Sequence, residues 1–198
     1  MRIVLASGNA GKLKELSVLL APLGFDLTTQ SALGIDSPPE TGDTFVANAL
    51  IKARHAAAKS NLAALADDSG IEVDALDGRP GVYSARYAGE NATDEANTNK
   101  MLAELSGVPE ARRSARYRCV IVLVRHAEDA DPVVAEASWE GRILTQPRGA
   151  GGFGYDPIFK PLDCAGSVAE LSIAAKNTLS HRARALQALV SKLTAAGV

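Results

Sequence analysis

An α/β fold on a mixed sheet is the class this sequence predicts, and three observations predict it. Short apolar runs rich in β-branched residues alternate with segments of helical periodicity, which is the pattern of strands interleaved with helices. Two such runs after Arg118 are separated only by the turn Asp129–Pro132 and so read as a hairpin, which makes the sheet mixed. The 198 residues are 46% hydrophobic and 22% charged, enough for one domain with a sizeable core, 1–198.

The elements follow in order. Arg2–Ala6 reads as a buried strand, ended by Gly8 and Gly11. Lys12–Leu20 reads as a helix with Leu13, Leu16, Leu19 and Leu20 on one face, and Phe25–Gln30 as a second strand. Ser31–Asp43 is a Pro- and Gly-rich loop. Phe45–Lys59 is the clearest helix, capped by Asp43 or Thr44 and apolar around most of its circumference. Its exception is a polar stripe, Asn48, Lys52, His55 and Lys59, at i, i+4, i+7 and i+11. Leu62–Ala66 reads as a strand ending in the turn formers Asp67-Asp68-Ser69-Gly70, and Ile71–Leu76 follows with alternating polarity. Asp77–Gly81 is a turn, Val82–Tyr87 a strand candidate and Thr93–Leu105 a helix capped by Thr93. Arg118–Arg125 and Val133–Leu144 are the hairpin strands. The glycine-rich loop Arg148–Pro157 follows, and a helix from about Leu179 to Leu193 closes the chain with Leu186, Leu189, Val190 and Leu193 inward.

The net charge of −2 gives no global attraction to nucleic acid or anionic lipid. The two cysteines, Cys119 and Cys164, form no C-x-x-C pair, and Cys119 lies in an apolar run as a small core residue. The N-terminal apolar run is too short for a signal peptide, and Cys119–Val124 is too short to span a bilayer. A cytoplasmic protein is expected.

Five segments carry chemistry, each with a plainer alternative. SGNAGK (Ser7, Gly8, Asn9, Ala10, Gly11, Lys12) lies between a strand and a helix, where backbone N–H groups meet anions. It matches neither Walker A nor the dinucleotide fingerprint, because Ala6 stands where each needs its first Gly; the alternative is a plain turn with a surface Lys. In ADDSG the two carboxylates point opposite ways on an extended chain. One faces a site, to hold Mg²⁺ or activate water, and the other supports it; the alternative is a solvated turn. Glu40, in the Pro-rich loop, can share a metal with Asp68, with Lys52 reaching a phosphate over it; the alternative is an acidic loop beside an exposed helix face. In GGFGYD the glycines admit a flat ligand, Phe153 offers a stacking surface, and Asp156 can accept from a ring N–H; the alternative is a flexible loop with one buried aromatic. Lys176 and the SHR of Ser180–Arg182 place cations at a helix N-terminus, which suggests an acceptor nearby or else a basic surface patch.

Together these segments form the kit of a nucleoside triphosphate enzyme. The segments SGNAGK, the Glu40–Ala53 stretch, ADDSGIEVDAL, PGVYSARYAG, GGFGYDPIF and SHR, in that order, run over nearly the whole chain and closely resemble the inosine triphosphate pyrophosphatase family. The resemblance implies an elongated mixed sheet flanked by helices, two lobes around a central nucleotide cleft, and a homodimer. It implies Mg²⁺-dependent hydrolysis of the α–β phosphoanhydride of XTP, ITP and dITP. By position, Ser7–Lys12 would hold the triphosphate, Asp68 would be the catalytic carboxylate and metal ligand, Glu40 a second metal ligand, Lys52 a phosphate contact, and Ser69 a substrate contact. Phe153, Gly154, Tyr155, Asp156, Lys176, His181 and Arg182 would line the nucleotide and base pocket. The chain departs from the expected pattern at Ala174 and Ala175, where acidic residues were expected before Lys176. A pyrophosphatase for modified pyrimidine or standard nucleotides, a non-catalytic nucleotide sensor and an NAD(P)-binding module are the rival readings. The intact Asp68, Glu40 and Lys52 weigh against the sensor, and the missing first glycine weighs against the NAD(P) module.

Overall fold

Residues 2–195 are described by a computed structural model. Apolar β1 (Arg2–Leu5) leads into α1 (Ala10–Leu20), and the chain returns as β2 (Asp26–Thr29), parallel to β1. After the Pro-rich loop come α2 (Phe45–Ser60) and β3 (Ala63–Val73), and β3 also pairs parallel with β1. Next are α3 (Asp94–Glu104), β4 (Ser114–Val124), β5 (Val133–Ile143) and β6 (Phe159–Pro161), followed by α4 (Ile173–Leu179) and α5 (His181–Ala195). The six strands form one sheet in the order β2-β1-β3-β4-β5-β6, with β6 antiparallel to β5. The mixed α/β class expected from the sequence is the one observed.

The chain forms two compact units. The first comprises the residues up to Asp68, Cys119–Ala137 and those from Arg182 on; the second comprises Ser69–Arg118 and Ser138–His181. In the first unit, Leu16 and Leu20 of α1 and Ala185, Leu186, Leu189 and Leu193 of α5 pack on Ile3, Leu5, Leu65, Cys119 and Ile121. Leu13 and Leu19 complete that α1 face half-buried, whereas Val190 is only half-buried although it was expected inward. Burial pushes the Cys119 thiol up to about 12, so it stays a protonated core residue. The second unit packs Trp139, Phe159, Tyr117, Ile71, Met101 and Leu105 together.

Two expectations are corrected. The Leu62–Ala66 and Ile71–Leu76 segments are not two strands about a turn. β3 is one strand of 11 residues that runs straight through Asp67-Asp68-Ser69-Gly70. Those turn formers stay extended because each carboxylate meets a lysine contributed from elsewhere in the chain. Val82–Tyr87 is not a strand; Gly81–Arg86 is 3-10 helical. The closing helix stands where it was expected, as α5 (His181–Ala195); the separate helix α4 before it had no counterpart in the sequence pattern and is ended by Ser180, extended at φ −65° and ψ 157°. Lys176 therefore sits inside α4, and His181 opens α5. The short β6 had no counterpart in the pattern, since three residues carry no period.

Candidate active site

In the first unit SGNAGK builds the start of α1. Asn9 is its N-cap, extended at φ −90° and ψ 113°, and its side chain accepts from the Lys12 N–H at 3.0 Å. Asn9 N–H in turn donates to Ser7 Oγ at 3.2 Å. Ala10 and Gly11 are the first two helical residues, and no acidic side chain occupies that turn, so its electropositive end stays suited to an anion. A Cβ at Gly8 would approach Ser37 Oγ to 3.1 Å, so the bare backbone fits the neighbouring loop. Lys12 Nζ lies 3.2 Å from Asp67 Oδ2.

Lys52 is the centre of the second cluster in this unit. Its Nζ donates to Glu40 Oε1 at 2.8 Å and to Asp68 Oδ1 at 2.9 Å. The local reason Glu40 is there lies one helical turn away. Asn48 Oδ1 accepts from Gly42 N–H at 2.8 Å and pins the loop against α2. A Cβ on Gly42 would meet Ala47 Cβ at 2.7 Å, so this close approach requires glycine. Thr44 is the cap, accepting from Ala47 N–H at 3.1 Å. Of the polar stripe only Asn48 and Lys52 are buried; His55 is half-buried and Lys59 exposed.

Burial works to lower the Lys52 pKa, but Asp68, Asp67 and Glu40 outweigh it and raise it, so the ammonium is held charged. Burial pushes the Asp68 carboxyl up, opposed by Lys52 and Lys12. Burial also opposes ionisation of Asp67, yet Lys12 and Arg182 win and hold it well below the usual carboxylate range. The two acids therefore differ: Asp67 is a fixed anion, whereas Asp68 takes up a proton more readily. Among the described residues, the buried Asp68 Oδ2 has no hydrogen-bond partner.

These residues fit a hard divalent cation. Glu40 and Asp68 both reach the Lys52 ammonium, and Asp68 Oδ2 is an uncommitted oxygen. Among the described residues no group of three or more His, Cys, Asp or Glu could hold an ion. Water and substrate phosphates would complete the shell, as suits Mg²⁺.

In the second unit the glycine loop closes around Asp156, which is 2% exposed. Its Oδ2 accepts from Phe153 N–H at 2.9 Å and from Lys176 Nζ at 2.6 Å. Its Oδ1 accepts from Tyr117 Oη at 3.1 Å. Gly152 has φ +76°, and a Cβ there would overlap Asp156 Oδ2, so glycine is required on both counts. Lys176 Nζ stands 4.3 Å from the Phe153 ring centroid, which holds that half-buried ring in place. Gly154 N–H donates to Asp94 Oδ2 at 2.6 Å. Burial pushes the Asp156 carboxyl up, with Lys176 opposing.

Not every expected residue sits with these groups. Tyr155 is buried in the core with its hydroxyl on Ser84 O at 2.8 Å. His181 does join the second cluster, through Tyr117, on which it stacks with centroids 4.5 Å apart and planes 9° from parallel. Arg182, its neighbour in the chain, belongs to the first unit, where its guanidinium pairs with Glu15 and with Asp67 at 3.4 Å. Ser69 is half-buried in β3 beside Asp68. Two participants were missed: Tyr117, which reads as one more inward residue of an alternating strand, and Glu15, an ordinary helix carboxylate whose partner lies 167 positions away.

A family model for the Ham1 family matches residues 3–192. A protein of Vibrio vulnificus named dITP/XTP pyrophosphatase is 56% identical over 97% of this chain and 96% of its own. One of the same name from Xanthomonas oryzae is 59% identical over 98% and 97%. Among solved structures, a HAM1 protein from Coxiella burnetii superposes with a TM-score of 0.90 at 46% identity, covering 98% of each chain. The Staphylococcus aureus Ham1 protein does so at 0.86 and 38% identity, covering 98% of this chain and 99% of that one. With both clusters in place and likeness along almost the whole length, the chain belongs to the Ham1 family.

Proposed function

We propose that this protein hydrolyses non-standard purine nucleoside triphosphates, XTP, ITP and dITP, to the monophosphate and pyrophosphate, clearing them from the nucleotide pool. Relatives more than half identical carry the name dITP/XTP pyrophosphatase. The observation that carries the mechanism is Lys52 held between Glu40 and Asp68, with Asp68 Oδ2 buried and uncommitted. The N-terminus of α1 with Ser7, Asn9 and Lys12 binds the triphosphate. Lys52 and Lys12 offset the charge that develops on the phosphate oxygens. Asp68 orients the attacking water and takes its proton, a task suited to a carboxyl whose pKa burial raises. Glu40 and Asp68 would hold Mg²⁺, which supplies Lewis-acid polarisation of a phosphoryl oxygen. Phe153 stacks on the base, while Asp156, Lys176 and His181 read its edge; donors aimed at a 6-keto oxygen are left unpaired by adenine's amino group. A homodimer acting in the cytoplasm is part of this reading, supported by the sequence resemblance. No helix among the described residues is long and apolar enough to cross a membrane.

The test is pyrophosphate release from ITP, XTP, dITP, ATP and GTP, with Mg²⁺ and after chelation. Wild type is expected to favour the first three and to stop on chelation. Asp68→Asn is expected to lose about 10²–10⁴-fold in kcat while remaining folded. Equal rates on ATP and ITP would refute the substrate assignment, and near-wild-type turnover in the variant would refute the role of Asp68.

A further inference from the structure

Resting on that reading, the geometry points to Tyr117 as a specificity-determining positioning residue that sets how Asp156 presents itself to the base and so excludes guanine. A carboxylate offers about four acceptor positions, two on each oxygen. At Asp156 both positions on Oδ2 are filled, by Phe153 N–H at 2.9 Å and Lys176 Nζ at 2.6 Å. On Oδ1 one position is filled, by Tyr117 Oη at 3.1 Å. One acceptor is left, and donors on both oxygens prevent rotation about the Cβ–Cγ bond.

That count matters for the bases being compared. Guanine presents N1–H and a 2-amino N–H side by side, a pair that fits one lone pair on each oxygen of a free carboxylate. Hypoxanthine presents only the N1–H there, and xanthine a keto oxygen in place of the amino group. A carboxylate locked with one remaining acceptor serves a single N–H and leaves guanine's amino donor unpaired, at a cost of about 1–3 kcal/mol. Phe153 N–H is fixed by backbone and Lys176 is flexible, so Tyr117 is the donor that confines Lys176 to Oδ2.

The same side chain aligns the other reader of the edge. The Tyr117 ring lies parallel to His181 at 4.5 Å and is braced edge-on by Phe159 at 4.7 Å, with an interplanar angle of 68°. One residue therefore locks both a donor-bearing imidazole and the carboxylate acceptor. A core tyrosine needs a partner for its hydroxyl, but the partner here is the carboxylate of the recognition loop itself.

Tyr117→Phe keeps the ring, the stack and nearly the whole volume and removes the hydroxyl that donates to Asp156. In steady-state pyrophosphate release the expected result is a roughly tenfold rise in the GTP-to-ITP ratio of kcat/KM, carried by KM. An unchanged ratio overturns the proposal. Phe159→Leu loosens the brace without touching the hydroxyl and separates recognition from packing. It is expected to lower Tm and leave the ratio alone; a ratio shift equal to that of Tyr117→Phe also overturns the proposal. Failure of the hydrolase reading looks different, because wild type itself would then show no preference for ITP over GTP and ATP.

Discussion

Asp67 and Asp68 stand one residue apart on β3, and that step sends their carboxylates to opposite faces of the sheet. Asp67 meets Lys12 and Arg182, and Asp68 meets Lys52. The sequence already implied one acid for the site and one for support, but it placed Arg182 with the base. The pairing of Arg182 with Asp67 and Glu15 favours a structural task for the guanidinium. It is 1% exposed, and the surrounding acids raise its pKa further. Removing one partner of a buried ion cluster costs about 3–5 kcal/mol because a buried charge is left uncompensated. Arg182→Met is therefore expected to lower Tm by roughly 10 °C or more in a calorimetric scan. A variant with unchanged Tm and a raised KM for ITP would return Arg182 to the base. Lys12, Lys52 and Asp68 were legible because each is a reactive side chain in a recognisable local context. Glu15 was not, because only the fold brings it to Arg182.

At the scale of elements, the β4–β5 hairpin shows why local signals succeed. Its turn, Asp129–Pro132, is legible from composition, and Asp129 staples it. The carboxylate accepts from Arg125 N–H at 2.9 Å, from Arg125 Nε at 2.8 Å and from Asp131 N–H at 3.1 Å. Its backbone oxygen accepts from Arg54 of α2 at 3.3 Å. The side-chain bond from Arg125, with the two backbone donors, holds the Asp129 carboxyl well below the usual range. The folded state therefore binds this proton less readily than the unfolded chain. The stabilisation is complete above the ordinary carboxylate range, begins to fade as pH falls through that range, and is lost only as pH falls through the folded-state value well below it. Asp129→Ala is expected to lower Tm by about 5 °C at neutral pH and by progressively less towards pH 3. A difference that does not shrink at all as the pH is lowered would show that packing, not charge, holds the turn. The ADDSG segment is the opposite case. Its residues are turn formers, and nothing within six positions says otherwise; partners at Lys12 and Lys52 keep it in the strand.

At the scale of the molecule, the groups proposed for phosphate and metal all belong to one unit, and the groups proposed for the base all belong to the other. The first holds the helix N-terminus, Lys12, Lys52, Glu40 and Asp68, which suit phosphates and metal, and these are common to every nucleoside triphosphate. The second holds Phe153, Asp156, Lys176 and His181 with Tyr117, which suit a base, the part that differs between substrates. The order of strands and helices was legible because each has its own period. This division was not, because β3, β4 and β5 each contribute residues to both units and no linker marks a boundary. A charge acting on phosphate lowers transition-state stabilisation for all substrates alike, whereas a group acting on the base changes one relative to another. Lys12→Met is thus expected to reduce kcat/KM for ITP, XTP, GTP and ATP by a common factor, about 10–100-fold for a charge-assisted contact. Asp156→Asn replaces an acceptor oxygen by an amide donor and is expected to alter the ratios among the four. The measurement is a matrix of two variants against four nucleotides. If Lys12→Met shifts the ratios as much as Asp156→Asn does, phosphate and base are not read separately, and the assignment of one task to each unit fails.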